Sequence, residues 1–163
     1  MIKAGRRLCL ALGLVLCAGL SGCAFSGIDL VQDRSVTIKT PADQASVSLP
    51  LRITWTGSLA PGQTFAVFVD ERTLQPGQTL RSLAQHDPAC LATPGCPGAS
   101  WLSGHGIYLT RSHALTLSYL ANLATVPGSR NAHTFTIIKV ADGRRVGEGA
   151  WYRQFYVLSG RSR

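Results

Sequence analysis

The side chains able to do chemistry in this 163-residue chain are few and scattered. A hydrolytic set can be drawn from Ser103, His105 and either Asp70 or Asp87. Acyl transfer, however, needs a serine presented on a strained turn, and Ser103 has no Gly-x-Ser-x-Gly surround. The run Ser103-Gly104-His105-Gly106 reads as a turn. Asp70 and Glu71 are adjacent, so on a strand they point to opposite faces and cannot cooperate as acid and base. The histidines His86, His105, His113 and His133 show neither HxH nor HExxH spacing, and His86 with Cys90 and Cys96 lacks the second close pair that a zinc site needs. No catalytic residue, metal or cofactor is assigned. The expectation is a protein that is not an enzyme, with a hydrolase whose site these motifs do not reveal as the alternative.

Recognition is a better prospect. The segment Leu80 to Gly106 collects His86, Pro88, Pro94, Pro97, Cys90, Cys96 and Trp101, and loops of more than about 12 to 15 residues are uncommon in compact domains unless they have a task. Trp101, with His105 and Tyr108 close behind it, offers amphipathic rings that could stack on a sugar or clamp a peptide. The alternative is that Trp101 covers a disulfide and plugs a small satellite core. Glu148, Trp151 and Tyr152 at the last hairpin could form a second recognition surface, although aromatics in a final strand are more often core or cross-strand pairs. Arg144 and Arg145 open a C-terminal run of arginines, with Arg153, Arg161 and Arg163, suited to anionic polymers or lipid head groups.

These residues need a frame, and composition narrows it. Hydrophobic residues make up 45% of the chain and charged residues 15%, which excludes a disordered polyelectrolyte. The length suits one domain. At the start, Lys3, Arg6 and Arg7 precede an apolar stretch from Leu8 to Leu20, then Ser21 and Gly22, the layout of a secretory signal peptide over residues 1–22. As a helix that stretch measures about 20 Å, short of the roughly 30 Å hydrocarbon core, so it is not a permanent span.

Leu20-Ser21-Gly22-Cys23 resembles the lipobox of bacterial lipoproteins. The resemblance implies cleavage before Cys23 and attachment of a diacylglyceryl group to its thiol, which becomes the membrane anchor; two chains hold far better than one. Ala24 stands where an Asp would favour inner-membrane retention, so the same resemblance implies the outer membrane if the source has one. Removal of 1–22 takes Cys9, Cys17 and three cations with it. Lys+Arg then number 13 against Asp+Glu 8, a moderately basic mature chain. Cys90 and Cys96 remain as a pair in an oxidising compartment, flanked by Pro94, Gly95 and Pro97, and read as a disulfide pinning one loop. An extracytoplasmic address and the lack of a nucleic-acid motif remove nucleic acid as a partner. The expected partners are the membrane and an envelope protein or glycan.

Strand signals recur at short intervals: Val36 to Lys39, Val47 to Thr56, Thr64 to Asp70, Ile107 to Thr110, Ala114 to Leu120, His133 to Ala141 and Gly149 to Leu158. Turn residues separate them at Pro41-Ala42-Asp43, Ala60-Pro61-Gly62, Gln75-Pro76-Gly77, Pro127-Gly128-Ser129 and Asp142-Gly143. Leu51, Ile53 and Trp55 share one face, as do Phe65, Val67 and Val69. Asp142-Gly143 between two β-rich runs predicts a type I′ hairpin, whose register needs a bulge near Gly147 or Gly149. About seven strands without a long amphipathic helix predict an all-β sandwich over 36–158, after a lipidated tether over 23–35 and before a basic tail over 159–163. A small antiparallel barrel is the alternative.

TPADQASVSLPLRITWTG followed by FAVFVDE resembles the opening strands of immunoglobulin-like and fibronectin type III domains, in which a tryptophan closing the second strand packs into the core. That implies Trp55 is the core anchor. The whole is similar to bacterial lipoproteins carrying immunoglobulin-like domains, a resemblance that supplies no activity to carry over. The expected function is a lipid-anchored, non-catalytic binding or structural module of the cell envelope, with a glycan-binding module using Trp101 and Tyr108 as the alternative.

Overall fold

The computed structural model describes residues 35–121 and 130–158. The expected signal peptide, Cys23, nearly all of the expected tether, the expected turn at Pro127-Gly128-Ser129 and the expected basic tail lie outside them. Eight strands form two sheets: β1 (Val36–Thr40), β2 (Ala45–Val47), β3 (Leu51–Gly57), β4 (Gln63–Val69), β5 (Ile107–Thr110), β6 (Ala114–Leu117), β7 (Arg130–Ala141) and β8 (Arg144–Leu158). A three-stranded sheet has the order β1-β3-β6 and a five-stranded sheet the order β2-β8-β7-β4-β5. The strands do not close into a barrel.

The run expected as one strand from Val47 to Thr56 divides. Pro50 carries no N–H for a ladder, so the chain leaves the five-stranded sheet after β2 and enters the other sheet as β3. β2 pairs parallel with β8; all the other named strand pairs are antiparallel.

Between the sheets the period-2 alternation buries Ile38, Ile53, Trp55, Phe65, Val67, Phe135, Ile137, Trp151 and Phe155. Trp55 is 2% exposed and meets the Phe65 ring edge-on at 5.5 Å between centroids, in the place the tryptophan resemblance implies. A second core lies on the opposite face of the five-stranded sheet. Ala66, Phe68, Ile138, Val140 and Ala150 of β4, β7 and β8 are buried there with Leu74, Leu80 and Leu102, which come from the β4–β5 connection. That connection, residues 70–106, is therefore a cap rather than a free loop. It contains a 3-10 turn, Leu80–Ala84, and two short helices, α1 (Pro88–Ala92) and α2 (Ala99–Gly104).

The hairpin follows its sequence signal. Asp142 and Gly143 have φ of 48° and 70°, the left-handed pair that a two-residue type I′ turn requires. Ile137 pairs with Trp151 but Lys139 pairs with Val146, so β8 carries extra residues across Gly147 to Ala150, with Gly147 at φ 73°. The bulge restores Trp151 to the inter-sheet face.

Candidate functional site

The cap is tied down by a small polar centre. Asp87 caps α1: its Oδ1 accepts the Cys90 amide at 2.9 Å, and its Oδ2 accepts the indole N–H of Trp101 at 2.8 Å. These bonds, the Cys90 amide first and the Trp101 indole second, hold the Asp87 carboxyl below the ordinary carboxylate range. One carboxylate thus joins the start of α1 to α2. Cys90 is buried and forms a disulfide with Cys96, with 5.3 Å between Cα atoms. With both thiols spent on each other, neither is free to join His86 in holding a metal.

Trp101 packs its side against the second core and stacks on His105, with 3.8 Å between ring centroids and 21° between planes. His105 is in turn fixed by a 2.7 Å bond from Nδ1 to the Trp101 carbonyl. One face of the indole is therefore already covered by imidazole. Tyr108 lies on β5 opposite Val67 and packs against the inter-sheet core. Trp101 and Tyr108 sit on opposite faces of the five-stranded sheet and form no common clamp.

The arginines also separate. Arg144 is exposed and donates to the Gly77 carbonyl. Arg145 is 5% exposed, and its guanidinium donates to the carbonyls of Leu74, Glu148 and Gly149. Two of those carbonyls belong to the bulge and the third to the cap. Arg145 fastens the cap to β8 and does not present its charge to a partner. Burial lowers its pKa.

The imagined hydrolytic set is not assembled. Ser103 Oγ donates to the Ser100 carbonyl and His105 serves Trp101. Asp70 turns instead to His133, which sequence spacing gave no reason to choose, 63 residues away. Asp70 follows β4 at φ 56°; its Oδ2 accepts from His133 Nδ1 at 2.6 Å and its Oδ1 accepts the Thr134 amide at 2.8 Å. His133 is 3% exposed and stacks beside Phe155, 5.6 Å between centroids. Its Nε2 has no hydrogen-bond partner. An Asp–His pair in this geometry could orient a general base, but no hydroxyl or thiol of the described residues meets its free nitrogen.

Gly106 explains how the cap returns to the sheet. Its carbonyl accepts the Val69 amide at 2.8 Å, its φ is 70°, and a Cβ there would lie 2.7 Å from the Val69 carbonyl oxygen. Glycine is required by close backbone approach. Among the described residues no group of three His, Cys, Asp or Glu is placed to hold a metal ion, and no helix is long and apolar enough to cross a membrane.

The last strand divides its aromatics. Trp151 is 9% exposed, faces the inter-sheet core and lies beneath the Arg153 guanidinium at 5.6 Å, whereas Tyr152 is 47% exposed on the outer face. No protein-family model, no curated protein and no solved structure matches the chain.

Proposed function

We propose that this chain is a lipid-anchored protein of a bacterial cell envelope, in which an immunoglobulin-like sandwich serves as a non-catalytic binding module. The observation that carries the anchor is the ordered series Lys3-Arg6-Arg7, Leu8 to Leu20 and Leu20-Ser21-Gly22-Cys23. It sets a thiol suited to thioether-linked lipid at the end of a stretch too short to span. The anchor sits 13 positions before Val36, where β1 begins.

The immunoglobulin-like reading is supported by strand order. Lettered along the chain, the second strand of the β1-β3-β6 sheet pairs with both a first and a later strand, while the last two strands and the β4-β5 pair make up the other sheet with β2. This follows the partition of that architecture between an ABE-type and a CFG-type sheet. The 70–106 cap is then an insertion between two strands of the larger sheet. A non-catalytic role is supported by the engagement of the chemically able side chains, since Asp87, Trp101, His105, Arg145, Cys90 and Cys96 hold the cap in place.

The test is expression of the full chain with its own signal in a bacterial host, followed by membrane fractionation and mass analysis of the N-terminal peptide. Cys23 carries a diacylglyceryl group and the protein sediments with membranes; Cys23→Ala leaves it unprocessed or released. An unmodified Cys23 in the wild-type protein overturns the anchor.

A further inference from the structure

The outer face of the five-stranded sheet is only half covered. The cap buries Phe68, Ile138, Val140 and Ala150, and its coverage ends before the other half, where β7 and β8 run on beside β2. Side-chain alternation puts Thr134, Thr136, Tyr152, Gln154 and Tyr156 on that open half, with Thr136 opposite Tyr152 and Thr134 opposite Gln154. Tyr152 is one of the few large hydrophobic side chains left exposed among the described residues. Tyr152 and Tyr156 are four positions apart on one strand, so their Cα atoms stand about 13 Å apart along it.

This surface is braced. Gln44 adopts φ 61°, a left-handed conformation costly for a side chain other than glycine, and its amide N–H donates to the Gln154 carbonyl at 2.8 Å. From there the Gln44 side chain accepts the Tyr156 hydroxyl at 2.9 Å and donates to Gln154 Oε1 at 3.2 Å. The phenol and the two amides are pre-set on the sheet surface, which reduces the ordering cost of binding. Between the Thr136–Tyr152 and Ala132–Tyr156 pairs, no strand position of this face is charged, but two exposed carboxylates border it: Asp43 Oδ1 accepts the Gln154 amide at 3.2 Å and Asp70 Oδ1 accepts the Thr134 amide at 2.8 Å. The surface thus combines flat rings, hydroxyls and amides with acidic margins. An uncharged polyol complements it: apolar C–H faces of sugar rings stack on tyrosine, sugar hydroxyls bond to amides, threonines and the bordering carboxylates, and those carboxylates repel an anionic chain.

We propose that this open half-face binds an uncharged polysaccharide lying along β8, with Tyr152 and Tyr156 stacking on sugars and Gln154, Gln44, Thr134 and Thr136 taking sugar hydroxyls. The separation of the two tyrosines requires a chain of several sugars. The proposal deepens the binding-module reading and rests on it, while standing apart from the lipid anchor. It also moves recognition away from Trp101 and Tyr108.

The test uses the full chain in detergent micelles with its disulfide intact, run by affinity electrophoresis through gels containing laminarin, hydroxyethylcellulose or galactomannan as neutral chains, and alginate as an anionic one, at low and high salt. At least one neutral polysaccharide retards the protein in a saturable way that salt leaves unchanged. Tyr152→Ala and Gln154→Ala weaken that retardation, Tyr152→Ala by about tenfold in apparent Kd. Tyr119→Ala, which removes another exposed tyrosine, leaves it unchanged, and a thermal melt of each variant confirms that the fold is kept. The proposal is overturned if none of the three neutral chains retards the protein, if Tyr152→Ala binds as wild type, if Tyr119→Ala loses as much, or if only alginate retards it and salt abolishes the effect. In each of these cases a lipidated Cys23 still keeps the envelope anchor, whereas an unmodified Cys23 with glycan binding intact removes the anchor alone.

Discussion

His133 donates from Nδ1 to Asp70 across 2.6 Å while the other oxygen of the same carboxylate takes the Thr134 amide. A single side chain thus fastens the end of β4 to β7 twice, once through the backbone and once through a buried ring. The contact extends the ladder one step beyond the last strand pair, Val69 with Phe135. It also explains the left-handed backbone of Asp70, since that turn aims the carboxylate back along β7.

Breaking this contact from either side leaves a polar group without its partner. Asp70→Asn and His133→Gln are each expected to lower stability by about 1 to 2 kcal/mol, the lower end reflecting the partly exposed carboxylate. A double-mutant cycle in urea should return a coupling of about 1 kcal/mol. A coupling near zero would mean that the two side chains act independently.

Arg145 offers a sharper case. Arg145→Met keeps much of the apolar stem but strands the carbonyls of Leu74, Glu148 and Gly149, and should cost about 2 to 4 kcal/mol. Arg145→Lys should recover little, because one ammonium cannot reach carbonyls on both sides as the planar fork does. Hydrogen exchange would show the loss concentrated in the cap and the bulge; uniform loss over both sheets would contradict the fastening role.

Acid should loosen the cap through Asp87. Its carboxyl is lowered in the folded protein by the Cys90 amide and the Trp101 indole, so its stabilising effect is complete above the unfolded carboxylate value of about 3.9 and is lost as pH falls through the lower folded value. Protection of the Cys90 amide and the Trp101 indole proton, measured by NMR exchange relative to the intrinsic rate at each pH, should fall on that descent. In Asp87→Asn, protection is already lower at neutral pH and no longer falls with acid.

Trp55→Ala is expected to destabilise the fold by about 3 to 5 kcal/mol, because a fully buried indole leaves a cavity between the sheets. Chemical denaturation measures it. An unchanged midpoint would remove Trp55 from the core.

The sandwich was legible because its strands alternate: Leu51, Ile53 and Trp55 announce a buried face, and Asp142-Gly143 announces its hairpin. The second core left a fainter mark. Phe65 to Val69 is apolar at every position, and a strand buried on both faces needs a cover on each, yet nothing local says which segment supplies it. Leu74, Leu80 and Leu102 lie too far apart and in elements too short to show a period. The site residues suffered from the same limit. Trp101 and Tyr108 are seven positions apart in sequence but separated by the thickness of a sheet, and Asp70 with His133 became neighbours only when β4 paired with β7. The cysteine pair was readable because its spacing already brings the thiols within reach.

The first two strands join different sheets, β1 beside β3 and β2 beside β8. A load applied at Ser35 therefore meets β1 in one layer and, a few residues on, β2 in the other. Peeling the domain from its amino-terminal side means opening an edge of both layers in succession, and β2 runs parallel to β8, so tension along it shears the pair instead of unzipping it. Extension from the amino-terminal side is therefore expected to load the β2–β8 pair in shear before β8 is reached.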